Sequence, residues 1–175
     1  DPFDGEPRFA LLTVNFSTTR YLKLMLLTLS EQEELGLLRR IVVADNRSRD
    51  GGRTFLHQLS ERVDRLEVVE NQVFLNHARG MRRALRELDR VEADLPPAER
   101  ANLLLFCDID VIFRSREVLL DLAASVVVND AAFAGELRRS GYSYPEAQAS
   151  FFVVRRDVQA RRDVRPWVYH GAPAH

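Results

Sequence analysis

The chain has 175 residues, 46% hydrophobic and 29% charged, with 25 basic against 26 acidic side chains and a formal net charge of −1. That length supports one domain with a real core, and that balance argues against nucleic acid as the main partner. One cysteine, Cys107, excludes an intrachain disulfide and matches a reducing, cytoplasmic setting. No apolar run approaches the roughly 20 residues of a bilayer-spanning helix. Residues 1–8 are acidic and polar, unlike a secretory leader. Asn-x-Ser triplets at Asn15 and Asn46 matter only in a secreted protein.

Residues 9–14 (FALLTV) form a short apolar run that predicts a buried strand ending at Asn15. Leu22, Met25, Leu26 and Leu29 then recur at helical spacing, with Ser17, Thr18 and Thr19 placed to cap. Residues 41–44 predict a second strand, closed by Asp45 and the turn-forming stretch NRSRDGG. Phe55, Leu56, Leu59 and Val63 share a helical face, and residues 66–69 predict a third strand. From Asn76 to Val91, Met81, Ala84, Leu85 and Leu88 point inward from a helix whose other side carries arginines. A proline-containing loop leads to a fourth strand, residues 102–107. A helix over 115–126, capped by Ser115, and strands at 131–134 and 150–154 complete the pattern. Strands alternating with helices predict an α/β domain with a mostly parallel sheet. The tail RPWVYHGAPAH stops in mid-loop, so the expectation is a single domain over residues 1–175 that is cut short on its carboxyl-terminal side.

In open α/β sheets ligands sit beyond the carboxyl ends of the strands. Asn15, Asp45 and the pair Asp108 and Asp110 all fall at such ends. Residues i and i+2 of a strand point to one face, so Asp108 and Asp110 would make an oxygen-rich site for Mg2+ or Mn2+. Two solvated acids in a turn are the bland alternative, and the apolar run on either side weighs against it. Asp45 suits either a ligand's ring N–H and hydroxyls or an Asx turn. Arg79, near its helix start, is placed to meet an anionic or carbonyl group. Arg82, Arg83 and Arg86 are expected to be a solvated face, and His77 a surface or capping histidine. Phosphate loops of the GxxxxGK[ST] or GxGxxG kind and CxxC or HExxH metal patterns are absent from the sequence.

The order of these segments carries more than any one of them. A strand ending at Asn15, then VVADNRSRDGG, ENQVFLNHARGM and LLLFCDIDVIF, together resemble the family 2 glycosyltransferases of GT-A fold. The resemblance covers most of residues 9–113. It implies a Rossmann-like GT-A domain, its mostly parallel sheet flanked by helices. The implied reaction is a metal-dependent transfer of a sugar from a nucleoside-diphosphate sugar to a saccharide or other hydroxyl acceptor. By the same resemblance, Val14 and Asn15 edge the nucleotide pocket, Asp45 contacts the base and Arg79 helps hold it. Asp108 lies near the ribose and the metal, and Asp110 coordinates Mn2+ or Mg2+ at the diphosphate. Arg47 and Val73 stand where the family pattern has glycines. Glu136 is the first choice for the catalytic acid or base, ahead of Glu146, Asp157 and Asp163. A third metal ligand is sought at His170 or His175. Two rival readings are a degenerate nucleotide-sugar-binding or partner-binding domain and a haloacid-dehalogenase-type phosphatase. The second is weakened by Ile112, where that motif has threonine.

Overall fold

The structure, a computed structural model, describes residues 6–138 and 146–161. Six strands form one sheet in the order β3-β2-β1-β4-β6-β5. Central β1 (Phe9–Asn15) is buried along its whole length, which is why it reads as a continuous apolar run rather than an alternating one. It lies parallel to β2 (Leu38–Asp45) on one side and β4 (Leu103–Cys107) on the other. Beyond β2 comes β3 (Leu66–Glu70), also parallel. On the other flank β6 (Glu146–Arg155) is antiparallel to both β4 and β5 (Phe133–Arg138). The sheet is therefore mostly parallel, as expected.

Alternate residues of β1 serve two cores. Phe9 and Leu11 pack with Leu22, Met25 and Leu29 of α1 (Thr19–Ser30), Leu56 of α2 (Gly52–Ser60) and Leu119, Leu122 and Val126 of α4 (Val118–Val128). Ala10, Leu12 and Val14 face Met81, Ala84 and Leu88 of α3 (His77–Val91). Helices thus cover both faces of the sheet. The short α5 (Arg156–Gln159) follows β6, and its Arg156 spans back to α3. There the guanidinium donates to Asp89 at 2.7 Å and to the buried carboxylate of Glu92.

Three local details differ from the sequence expectation. Helix α4 begins at Val118, and the Ser115 hydroxyl accepts the Glu117 amide instead of capping the helix. Strands β5 and β6 extend past the predicted 131–134 and 150–154. The third detail is the start of α1, where neither Thr18 nor its neighbours supply the side-chain cap. Asp50, 31 positions away, does so: its carboxylate accepts the Thr19 amide at 2.8 Å and the Thr19 hydroxyl at 2.7 Å.

Burial pushes the Asp50 carboxyl up, but the bonds from Thr19 and the Gly52 amide outweigh it and hold it below its ordinary value. A depressed folded pKa stabilises above the unfolded carboxylate range, near ~3.9, and the gain is lost as pH falls through the folded value. Asp50→Ala is therefore expected to cost about 1 kcal/mol at neutral pH. The difference from wild type should shrink in denaturation curves recorded below about pH 4.

Candidate functional site

The connection from β1 runs outward to β2 and β3, then returns through α3 to β4 on the other side of β1. The gap between the carboxyl ends of β1 and β4 is thus a topological switch point, where open α/β sheets bind ligands. Asn15 and Asp45 are register partners on one side of it, and Asp108 follows β4 on the other.

The β1–β2 side is a closed polar network. The Asn15 amide donates to Asp45 Oδ2 at 2.9 Å and to Ser48 Oγ at 3.0 Å. Asp45 Oδ1 accepts the Ser48 amide at 2.9 Å, the local turn weighed for it from sequence. Ser48 Oγ also accepts the Ser17 amide at 2.9 Å. Asn46 makes reciprocal bonds to Leu75, accepting its amide at 2.8 Å and donating to its carbonyl. Nearly every polar residue of DNRSRDGG therefore fixes one loop against another. Arg47 adopts φ +67°, a left-handed conformation that favours glycine. Arg47→Gly is expected to raise stability by about 0.5 kcal/mol, measured as a small rise in melting temperature.

Asn71 was not singled out as a site residue by sequence. Its backbone amide donates to the Asp45 carbonyl at 2.9 Å, while its side-chain Nδ2 is buried with no hydrogen-bond partner. The residue is only 8% exposed. An orphaned buried donor costs about 1–3 kcal/mol unless something accepts from it. Beside it, Glu70 ends β3; hydrogen bonds from Arg53 and His57 hold its carboxyl below the usual range against the opposing effect of burial. Phe16 and Phe74 meet edge-to-face at this rim, centroids 4.9 Å apart, and both are exposed. Neither pairing had a sequence signal, since loop–loop contacts follow no period.

On the β4 side the structure revises the strand argument. Strand β4 ends at Cys107, and Asp108 accepts the Val111 amide at 3.2 Å in a turn. The two acids therefore owe their proximity to this turn rather than to strand alternation. Asp108 is half-buried and Asp110 exposed. Burial raises the Asp108 carboxyl, the neighbouring charge on Asp110 raises it further, and His77 opposes them. His77 is a surface residue, as expected, and its Nε2 lies 3.3 Å from Asp108 Oδ1.

The other predicted residues are more dispersed. Val14 is packed under α3, where Gly80 allows the approach: a Cβ there would sit 2.8 Å from Val14 Cγ2. Arg79 is exposed and lines an open cleft of about 430 Å³ with Leu75, Arg82, Leu85, Arg86 and Asp89, away from Asn15, Asp45 and Asp108. The Glu136 backbone lies in β5 between Gly135, paired with Phe152, and Leu137, at an irregularity in the register. Phe152 also pairs with Phe106, so this point is level with the end of β4. The Glu136 and Glu146 side chains, Asp163, His170 and His175 lie outside what the structure describes. Asp157 is tied to Arg155 by two bonds of 3.0 and 3.1 Å. Cys107 is buried, and burial pushes its thiol far up, which leaves it inert as a nucleophile. Among the described residues, no group of three or more His, Cys, Asp or Glu is gathered to hold a metal, and no helix is long and apolar enough to cross a membrane.

No protein-family model matches the chain, and no curated protein matches it. Solved structures do. The chain is similar to a mannosyltransferase, PcManGT from Pyrobaculum calidifontis, solved with GDP-Man and Mn2+. The TM-score is 0.68 at 17% identity, over 90% of this chain and 46% of that one. S. aureus TarS 1-349 in complex with UDP-GlcNAc gives 0.59 at 17% identity, over 79% of this chain and 37% of that one. The 4-diphosphocytidyl-2C-methyl-D-erythritol synthase of Anaerococcus prevotii gives 0.55 at 15% identity, over 90% and 73%. The chain spans less than half the length of the mannosyltransferase and of TarS 1-349. With its helix-covered, mostly parallel sheet and the switch point between β1 and β4, the chain has the GT-A-type fold of nucleotide-diphospho-sugar transferases.

Proposed function

We propose that this domain binds a nucleoside-diphosphate sugar in the β1/β4 crevice and transfers the sugar to a hydroxyl acceptor with the help of Mn2+ or Mg2+. The observation that carries this reading is the placement of Asp108 and Asp110 across a switch point from the buried Asn15–Asp45–Ser48 network. The acids fit a hard divalent cation: both offer oxygen ligands, and the raised Asp108 carboxyl is one whose charged form an adjacent cation would favour. When bound, the cation supplies Lewis-acid stabilisation of the departing nucleoside diphosphate.

The chain's own residues divide the remaining work. Asp45 and Asn15 shape the base end, with the Val14 backbone at its edge. Their mutual bonds leave the second lone pairs of the Asp45 carboxylate for a ligand donor. The free N–H of Asn71 would be satisfied by a base carbonyl, and the exposed Phe16–Phe74 pair offers a face for a flat ring. Arg79 would reach the base only through its long side chain, from the start of α3. Glu136 is assigned as the carboxylate that takes the acceptor proton, on the strength of its register with the end of β4.

A panel of labelled sugar nucleotides incubated with Mn2+ tests the reading. At least one donor is expected to be hydrolysed or transferred. Metal-dependent binding without turnover by the full-length protein would favour a binding domain instead.

A further inference from the structure

His77 opens α3, and its Nε2 lies 3.3 Å from Asp108 Oδ1. The two side chains are 45% and 35% exposed, so both remain accessible from solvent. Ligand atoms at neighbouring positions around one small cation, each about 2.1 Å from it, are about 3.0–3.4 Å apart between octahedral and tetrahedral geometry. The separation of this pair falls in that range without any movement.

Both partners are also held in place. Asn76 caps α3 by accepting the Arg79 amide at 2.9 Å, and Gly80 seats the first turn against Val14. The Asp108 amide donates to the Ser150 carbonyl at 2.7 Å, which fixes the start of its turn to β6. A solvent-exposed ion pair would contribute at most about 1 kcal/mol and requires neither anchor.

We infer that His77 is a nitrogen ligand that joins Asp108 on the divalent cation of the proposed donor site, and that the site for this reason takes Mn2+ in preference to Mg2+. The inference rests on the transferase reading above. Imidazole suits first-row transition ions, whereas Mg2+ takes oxygen ligands almost exclusively. Water and diphosphate oxygens fill the remaining positions. This places a protein nitrogen ligand in the donor half of the site, earlier in the chain than His170 or His175.

Mn2+ titrated into the protein, alone and with UDP or GDP, tests this by electron paramagnetic resonance. Bound Mn2+ in the wild type is expected to show nitrogen coupling from one imidazole. His77→Ala should abolish that coupling and weaken Mn2+ about tenfold or more, with Mg2+ affinity nearly unchanged and the melting temperature retained. Mn2+ bound without nitrogen coupling, or with coupling that persists in His77→Ala, overturns the role of His77 and leaves the transferase reading standing. Failure of the wild type to bind Mn2+ in every arm overturns the metal centre itself.

Discussion

Asp108→Asn is expected to reduce sugar release or transfer by about 100-fold or more while leaving the fold intact. The substitution keeps the shape of a half-buried side chain and the backbone bond to Ser150. It removes the charge that would face the cation and the departing diphosphate in the proposed reaction. Loss of one preorganised electrostatic partner typically costs about 10²–10³ in rate. The effect should appear in turnover and in metal-dependent nucleotide affinity together, with an unchanged thermal melt. A full rate with Asn at 108 would remove the carboxylate from the reaction.

Arg156→Met should produce the largest loss of stability of any single substitution named here. The Glu92 carboxylate is buried, and its Oε1 accepts the Ala101 amide at 3.1 Å. Its charge is balanced by Arg156, which also donates to Asp89 at 2.7 Å and to the Ala101 carbonyl at 2.9 Å. Burial disfavours the charged guanidinium, yet the bonds to Asp89 and Glu92 raise its pKa above the ordinary arginine value. Removing the cation strands a buried anion, at a cost of about 3–5 kcal/mol. For a domain of this size that is a fall of roughly 10 °C in melting temperature. Glu92→Gln in the same chain should restore part of the loss, because the stranded charge is gone while the Ala101 bond can remain. Equal melting of the single and double variants would show that packing, not charge, dominates at this joint.

The parallel half of the fold was legible because its strands are buried on both sides. Phe9, Leu11, Val42, Val43, Leu104 and Leu105 form short uniform apolar runs with turn chemistry at their ends. Asn15, Asp45 and Asp108 stand at or just past those ends, which marks the β1–β4 switch point in the sequence. The partners of these residues were not legible. Asp50 caps a helix 31 residues away, Arg156 meets Glu92 across 64 residues, and the His77–Asp108 contact depends on how α3 crosses the sheet. Such contacts are set by tertiary approach and leave no period in the sequence. The antiparallel edge was read only in part for a related reason. Strand β5 lies at the sheet edge with Phe133 exposed, so its apolar pattern is weak and its true end at Arg138 carries no signal.

Calorimetric titration of the wild-type chain with UDP, GDP, CDP and ADP, in Mn2+ and then in excess EDTA, tests the central claim most directly. The account predicts that at least one of these binds in Mn2+ and loses about tenfold or more in affinity when the metal is removed or when Asp108 is Asn. Binding of none of them by folded protein in the presence of Mn2+ would contradict it.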